Sequence, residues 1–295
     1  MARPEVWADG QAYEQYIGRW SRPVAAEFLR WLPEWEAQTW CDVGCGTGAL
    51  THAILADRLP TRVVGVDPSV GYLADAGRNA SDPRAEFRVG TASAIPAADG
   101  EFDCVVSALL LNFVPDPLEA LTEMTRVARA GALIAGYVWD YAGAMDLLRS
   151  FWDAATELDP DAGALDEGRR FPLCQPDPLL QLFRSAGLDG VYVHPIEVPT
   201  VFADFDDVWR PFLGGQGPAP GYCADLDPGR RRALRENLRA RLPHEASGAI
   251  RLRARAWAVC GVTPAAPRAG AVQKSAAARF RNGLTEPGSG HSWLW

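Results

Sequence analysis

The chain has 295 residues, of which 48% are hydrophobic and 22% charged, values that are ordinary for a water-soluble globular enzyme. Its formal net charge of −8 disfavours tight binding to nucleic-acid phosphates or to anionic membranes. The longest apolar run, around residues 108–111, is too short to span a bilayer, and the first eleven residues lack the apolar core of a signal peptide. We therefore expect neither a nucleic-acid partner nor a membrane partner.

The six cysteines show neither a CxxC pair nor a spacing with histidine that is typical of metal ligands. Cys41, Cys104 and Cys260 fall in predicted strands, where a thiol packs as a small apolar group. Because this pattern is typical of a reducing compartment, we expect a cytoplasmic protein without a metal site.

After an aromatic-rich, helical N-terminal segment at 1–38, short apolar runs alternate with helical patterns. The predicted strands are 39–43, 62–67, 85–89, 102–108 and 132–139. The helices predicted between them are 49–58, 70–78 and 117–129. Strands and helices at this spacing predict a parallel sheet that is buried on both faces.

The later part of the chain completes this sheet. A helix is predicted at 179–186, and 190–198 and 250–262 alternate as strands that we expect to form an antiparallel pair, the first of them broken at His194-Pro195 as an edge strand tolerates. Insertions at 140–177 and 199–248 are expected to form a lid, the second with helices at 205–212 and 227–241. The prediction is an α/β domain over 39–262, a seven-stranded, mostly parallel sheet with helices on both faces, followed by a disordered tail from 263.

Three glycines stand at every second position where the first strand turns into a helix. Gly44, Gly46 and Gly48 lie at the sheet edge where such folds bind ligands, so bare backbone is expected to face a ligand there. A dinucleotide fingerprint has the order G-x-G-x-x-G, and Ala49 stands at its third glycine. Alanine is sometimes accepted at that position, so the spacing alone leaves both interpretations open.

The segment "DVGCGTG", Asp42 to Gly48, resembles the first motif of class I S-adenosylmethionine (SAM)-dependent methyltransferases, in their type-11-like branch. The resemblance covers roughly residues 13–140 and implies a Rossmann-like fold with SAM as cofactor. It also implies that the backbone of Gly44, Cys45 and Gly46 lies against the methionine and ribose parts of the cofactor.

An acid at the end of the second strand matches the ribose-binding residue of this family. Asp67 is followed by Pro68 in "GVDPS", and a carboxylate here can accept hydrogen bonds from both ribose hydroxyls. An acid at this position also serves NAD, and Asp67 or Ser69 could instead cap the next helix. The resemblance implies Asp67 and Pro68 as cofactor-binding residues.

The stretch from Gly90 to Pro117 resembles the family's adenine loop, fourth strand and following turn. Thr91 stands where the family often has an acid, and it is either an adenine contact or a plain loop residue. The resemblance further implies that Ala92 offers its N–H to the ring and that Ser107 and Ala108 end the strand beneath the sulfonium.

The N-terminal segment "YEQYIGRWSRP" resembles one in which an aromatic residue and an arginine hold the amino-acid end of the cofactor. The resemblance implies Tyr16 and Arg19 in these roles, with Arg19 paired to the carboxylate. The alternatives are simple packing for Tyr16 and a solvated surface position for Arg19.

Methyl transfer from a sulfonium depends mainly on holding an acceptor on axis, so it does not require a catalytic side chain. If one exists, we expect it after the fourth or fifth strand, with Asn112 or Asp140 as candidates. Asp140 would act as a general base, or it is a turn carboxylate. The adjacent Arg169 and Arg170 either receive an anionic group or are solvated, and we expect His194 to be structural.

Aromatic residues in the insertions either line an acceptor pocket or form core. They are Phe151, Trp152, Phe171, Phe202, Phe205, Trp209 and Phe212.

The sequence therefore predicts a SAM-dependent methyltransferase that acts on a small-molecule acceptor, aromatic or from secondary metabolism. A catalytically silent SAM-binding or scaffold protein is the alternative. The glycine spacing, together with the absence of a recognisable hydride-transfer site, disfavours a nicotinamide oxidoreductase. The sequence leaves the oligomeric state open.

Overall fold

The computed structural model describes residues 18–265, apart from 36, 81, 215, 216 and 244. Seven strands form one sheet in the order β3-β2-β1-β4-β5-β7-β6. The strands are β1 (Thr39–Val43), β2 (Arg62–Asp67), β3 (Ala85–Val89), β4 (Phe102–Ala108), β5 (Ala128–Trp139), β6 (Asp189–Phe202) and β7 (Ile250–Val262). The helices before β6 are α1 (Ser21–Trp31), α2 (Ala49–Asp57), α3 (Val70–Asn79), α4 (Pro117–Val127), α5 (Asp146–Leu158), α6 (Glu167–Arg170) and α7 (Pro176–Ser185). Those after β6 are α8 (Phe205–Trp209), α9 (Pro218–Asp225) and α10 (Pro228–Arg241).

The first five strands are parallel, and the predicted α/β class and mostly parallel sheet are confirmed. Four of the five residues of β1 and five of the six residues of β2 are buried, as expected for strands that are covered by helices on both faces. Because all five strands point the same way, their carboxyl ends meet at one edge of the sheet, and the turns after them line a crevice there.

The last two strands are longer than their neighbours. β6 and β7 pair antiparallel over their whole length, and β7 also pairs antiparallel with β5. The predicted end of β6 at 198 was wrong, because the ladder continues to Phe202, which pairs with Ile250. The predicted break at His194-Pro195 was also wrong: Pro195 stays within the ladder, which a strand at the sheet edge tolerates.

The two insertions add helices that the sequence did not predict, α5, α6 and α9. Their aromatic residues are mostly core: Phe151 stacks on Phe212 with ring centroids 4.4 Å apart, and both are fully buried. Of the seven aromatic residues considered for an acceptor pocket, six are buried, and only Phe171 is partly exposed. The core interpretation is therefore confirmed for all but Phe171.

The predicted start of the disordered tail at 263 was wrong, because Thr263 is buried and its N–H donates to the Ala132 carbonyl at 2.9 Å. Predictions for Tyr16 and for the tail from 266 onward lie outside the described residues. Among the described helices, none is long and apolar enough to cross a membrane. Over the same residues, no three histidine, cysteine, aspartate or glutamate side chains are grouped as metal ligands.

Candidate functional site

The glycine loop between β1 and α2 is held in a conformation that favours glycine. Gly44, Gly46 and Gly48 all have positive φ, at 73°, 54° and 90°. The N–H groups of Gly44 and Cys45 donate to the Val66 carbonyl of β2, at 2.7 and 3.1 Å. A side chain on Gly44 would strike Leu110, whereas a Cβ on Gly46 would meet no atom within 4 Å. The backbone of Gly46 therefore faces open space in the crevice, while Cys45 is buried.

Asp67 at the end of β2 is fixed by the glycine loop. One carboxylate oxygen accepts from the Gly46 N–H at 3.0 Å, and the other accepts from the Ser69 N–H at 2.8 Å. Ser69 is the residue that caps α3, by accepting from the Tyr72 N–H at 3.3 Å, so the capping alternative for Asp67 was wrong. Burial raises the pKa of Asp67, and the two backbone donors oppose that effect. Pro68, which follows it, is exposed.

A second carboxylate, Asp42, lies inside the sheet directly before the glycines. It is fully buried, and one of its oxygens accepts from the Thr51 hydroxyl of α2 at 2.7 Å. Its other oxygen has no hydrogen-bond partner among the described residues. Burial raises the pKa of Asp42 to about 7. The sequence analysis assigned Asp42 no role beyond its place in the motif, because its burial depends on the strands beside it.

The predicted adenine loop follows β3 and is joined to the end of β2, where the Gly90 N–H donates to the Asp67 carbonyl at 3.2 Å. Thr91 is exposed, and its hydroxyl lies 3.4 Å from that of Ser93. Ala92 is half-buried beside them. The loop thus lies next to Asp67, as the prediction requires.

The end of β4 completes the floor of the crevice. The Ser107 hydroxyl is buried without a hydrogen-bond partner among the described residues, and Ala108 is half-buried. Leu109 has a φ of +56°, which is rare for a bulky side chain, and its N–H donates to the Tyr137 carbonyl of β5 at 2.8 Å. Strain of this kind collects at functional sites. The sequence analysis missed Leu109, because nothing in a leucine indicates a left-handed backbone.

Three aromatic rings meet beside this turn. Phe113 follows β4, Tyr141 follows β5, and Phe171 follows α6; we call them the aromatic trio. The Phe171 ring lies 5.2 Å from that of Phe113 and 5.6 Å from that of Tyr141, centroid to centroid. Asn112, next to Phe113, has a buried amide nitrogen with no partner in the described part of the chain.

Asp140 lies after β5, but its carboxylate is occupied. It is 3% exposed, and one oxygen accepts from the Arg255 guanidinium at 2.6 and 2.7 Å and from the Ala144 N–H at 2.9 Å. These contacts join the turn after β5 to β7. They favour a turn carboxylate over a general base.

The Arg19 guanidinium lies at the carboxyl end of β6. It donates to the Val201 carbonyl at 3.3 Å and to Asp207 at 3.4 Å, and it packs 4.9 Å from the centroid of Phe202. These contacts attach the start of the described chain to the second insertion. A contact of Arg19 with the cofactor carboxylate stays a prediction.

His194 of β6 stacks on Trp31 of α1, with centroids 5.7 Å apart and rings 5° from parallel. Burial lowers the pKa of His194, which keeps the ring uncharged at neutral pH. Its contacts agree with the structural role that we expected.

The structure thus brings together most of the predicted cofactor residues. The glycine loop, Asp67, the loop at Thr91 and the end of β4 share one edge of the sheet, with Asn112 nearby. Asp140 and Arg19 lie at the same edge but are engaged in contacts that hold elements together.

The chain matches known proteins over this region. Residues 41–136 match the family model described as a methyltransferase domain. The demethylmenaquinone methyltransferase of a Roseiflexus species is 31% identical over 166 residues, which cover 51% of this chain and 67% of that protein. The chain spans between about half and two thirds of the length of the first curated relatives that it matches.

Two solved structures share the fold at lower identity. Phosphoethanolamine N-methyltransferase 2 of Haemonchus contortus, in complex with S-adenosylhomocysteine, is 16% identical with a TM-score of 0.53, covering 86% of this chain and 56% of that one. The [4+2]-cyclase SpnF is also 16% identical, with a TM-score of 0.52 and coverage of 89% and 87%.

Proposed function

The chain belongs to the class I SAM-dependent methyltransferases, and from that premise we propose that it transfers a methyl group from SAM to a small-molecule acceptor. The observation that carries the proposal is the pairing of bare backbone with an oriented carboxylate. Gly46 faces open space in the crevice, and its N–H holds one oxygen of Asp67 at 3.0 Å. The other loops of the crevice are arranged around this pair.

The residues present fit the cofactor. A Cβ on Gly46 would point into open space, so the loop leaves a cradle that a side chain would fill. The Asp67 carboxylate is held by two backbone N–H groups, which leaves further lone pairs for the ribose hydroxyls. With no diphosphate to neutralise, SAM needs no cation at the loop.

SAM, when bound, would supply an electrophilic methyl group, which the acceptor's lone pair would take while the carbon–sulfur electron pair left with sulfur. The chain itself binds and orients. Asp67 and the backbone of residues 44–46 fix the ribose and methionine parts, and Ala92 and Thr91 flank the base. Ser107 and Ala108, at the end of β4, set the floor against which the acceptor approaches. Fixing both partners in this way supplies most of the rate enhancement, on the order of several kcal/mol.

A general base is not part of this proposal. The Asp140 carboxylate is engaged by Arg255 and Ala144, so it is not proposed as the group that takes a proton from the acceptor. Asn112 remains the polar candidate on the acceptor side, since its amide nitrogen has no hydrogen-bond partner in the described residues.

A small-molecule acceptor is supported by the named relative, a demethylmenaquinone methyltransferase. The net charge of −8 disfavours a nucleic-acid substrate. A cytoplasmic location is proposed on the six free cysteines, all of them buried.

The second candidate is a SAM-binding protein without methyl transfer. Thr91 stands where the family often has an acid, and its hydroxyl lies beside Ser93 rather than beside a charged group. The structural likeness to a cyclase shows that this fold is not confined to methyltransferases.

Two measurements test the proposal. Thermal-shift titration with S-adenosylhomocysteine should raise the melting temperature, whereas NADH and NADPH should leave it unchanged. Transfer of a labelled methyl group from SAM to any member of a metabolite library then separates the enzyme from a silent binder. Stabilisation by the nicotinamide alone would contradict the cofactor assignment.

A further inference from the structure

Two rings of the aromatic trio, Phe113 and Phe171, keep part of their surface exposed, whereas the third, Tyr141, is buried. Phe113 is 40% exposed and Phe171 is partly exposed, whereas Phe151, Trp152 and Phe212 are each at most 1% exposed. An edge-to-face pair of rings left open at the crevice is a surface that apolar ligands occupy. It also lies within a few residues of Ser107 and Ala108, which end the strand on the acceptor side.

Phe171 is held at this place by close backbone packing. A Cβ on Gly168 would come within 2.9 Å of the Ala142 Cα and 3.0 Å of the Tyr141 carbonyl oxygen, so the bare glycine lets α6 lie directly on the turn after β5. The buried Glu167 beside it accepts from the Trp152 indole N–H of α5. α6 is thus anchored on two sides, and the ring that follows it has a fixed position.

The two adjacent arginines of α6, Arg169 and Arg170, have different neighbours. The Arg170 guanidinium lies 5.4 Å from the centroid of the Phe171 ring and is exposed. The Arg169 guanidinium instead lies beside Gly163 and lines a cavity of about 190 Å³ with Arg149 and Asp153, among others. Of these two arginines, Arg170 is the one that brings a positive charge to the aromatic trio.

We propose that Phe113, Phe171 and Arg170 form the acceptor subsite and select a planar aromatic acceptor that carries an anionic group such as a carboxylate. This inference rests on the proposed function and names the substrate class of that site. The two phenyl rings pack against the aromatic body of the acceptor, and the guanidinium fork pairs with its carboxylate. The amide nitrogen of Asn112, unpartnered in the described residues, donates to an oxygen on the same ring.

The test measures binding to the protein loaded with S-adenosylhomocysteine. The probes are benzoate, 2-naphthoate and anthracene-2-carboxylate, each paired with its carboxamide, and dissociation constants come from ligand-observed NMR titration. We expect at least one carboxylate to bind about tenfold tighter than its carboxamide, the effect of one charge-assisted contact. Arg170→Gln should erase this difference, and Arg169→Gln, the matched control, should keep it.

Phe171→Leu should weaken a carboxylate and its carboxamide by the same factor, because it removes ring packing and leaves the charge. The inference is overturned if no carboxylate binds better than its amide, or if Arg169→Gln and Arg170→Gln have equal effects. Failure of S-adenosylhomocysteine itself to bind would instead contradict the proposed function, so the two failures are distinguishable.

Discussion

One half of the crevice is formed mainly by main-chain groups and the other mainly by side chains. In the cofactor half, at the ends of β1, β2 and β3, the backbone N–H groups of Gly46 and Ser69 orient one carboxylate, Asp67, and that of Gly90 donates to the Asp67 carbonyl. In the acceptor half, at the ends of β4 and β5, side chains dominate, and the aromatic trio comes from three separate segments. Main chain recognises what every member of a family binds, whereas side chains can change with each acceptor.

The halves also differ in what holds them. The glycine loop depends on backbone conformation, with φ values that other residues adopt only at a cost. The acceptor half depends on contacts between separate segments. The helix α6 packs on the turn after β5, and Asp140 of that turn pairs with Arg255 of β7. Substitutions in the first half should therefore act on cofactor binding, and substitutions in the second on stability and acceptor choice.

The largest expected effect is from filling the cradle at Gly46. Gly46→Val should weaken S-adenosylhomocysteine binding by about a hundredfold or more in calorimetric titration, because the new side chain projects into the space that the cofactor occupies. Gly131→Val is the control: Gly131 also has positive φ, at 76°, with no atom near its Cβ, but it lies at the opposite end of β5. Both variants should lose similar stability, on the order of 1–2 kcal/mol, and only the first should lose affinity.

Removal of the carboxylate that is proposed to bind the ribose comes next. Asp67→Ala should weaken S-adenosylhomocysteine binding by roughly ten- to a hundredfold, since a charged hydrogen-bonding group is worth about 1.5–3 kcal/mol. Asp75→Ala serves as control, because Asp75 pairs with Arg78 on the outside of α3. Equal affinities for the Asp67 variant and the wild type would refute the ribose assignment.

Substitutions in the acceptor half are expected to change the stability of the protein. Asp140→Asn should lower the free energy of unfolding by about 1–2 kcal/mol, because it weakens the pair with the partly exposed Arg255. Arg255→Gln should cost a similar amount. Urea titration measures both, and the pH profile of methyl transfer should be the same for Asp140→Asn as for the wild type. An altered profile would restore the role of general base to Asp140.

The last expected effect is on the pH dependence of stability, and it comes from one buried carboxyl group in each half. Burial raises the pKa of both Asp42 and Glu167 to about 7. The folded protein therefore binds more protons than the unfolded chain between about pH 4 and pH 7, so its stability falls as pH rises through that window. Asp42→Asn and Glu167→Gln should each remove roughly 2 kcal/mol of the loss between pH 5 and pH 7. Urea titration at both pH values measures the slope, and an unchanged slope in either variant would rule out its carboxyl as a source.

Most of the fold could be predicted because its signals are local. β1, β2, β3, β4 and β7 begin and end where the apolar runs do, and Asp67 follows its strand directly. The errors fall where pairing overrides local preference. β6 runs through Pro195 and Pro199 because β7 holds it by a continuous ladder, which a strand at the sheet edge can form despite two missing donors.

The candidate site divides in the same way. The sequence by itself determined the glycine loop, the acid at Asp67 and the family, because these depend on residues that are adjacent in the chain and on glycine's freedom at positive φ. Only the tertiary structure decided that Asp140 pairs with Arg255, that Leu109 is strained, and that Phe113, Tyr141 and Phe171 meet. Such contacts join residues up to 115 positions apart, and their formation depends on how insertions pack on the sheet, which no local pattern records.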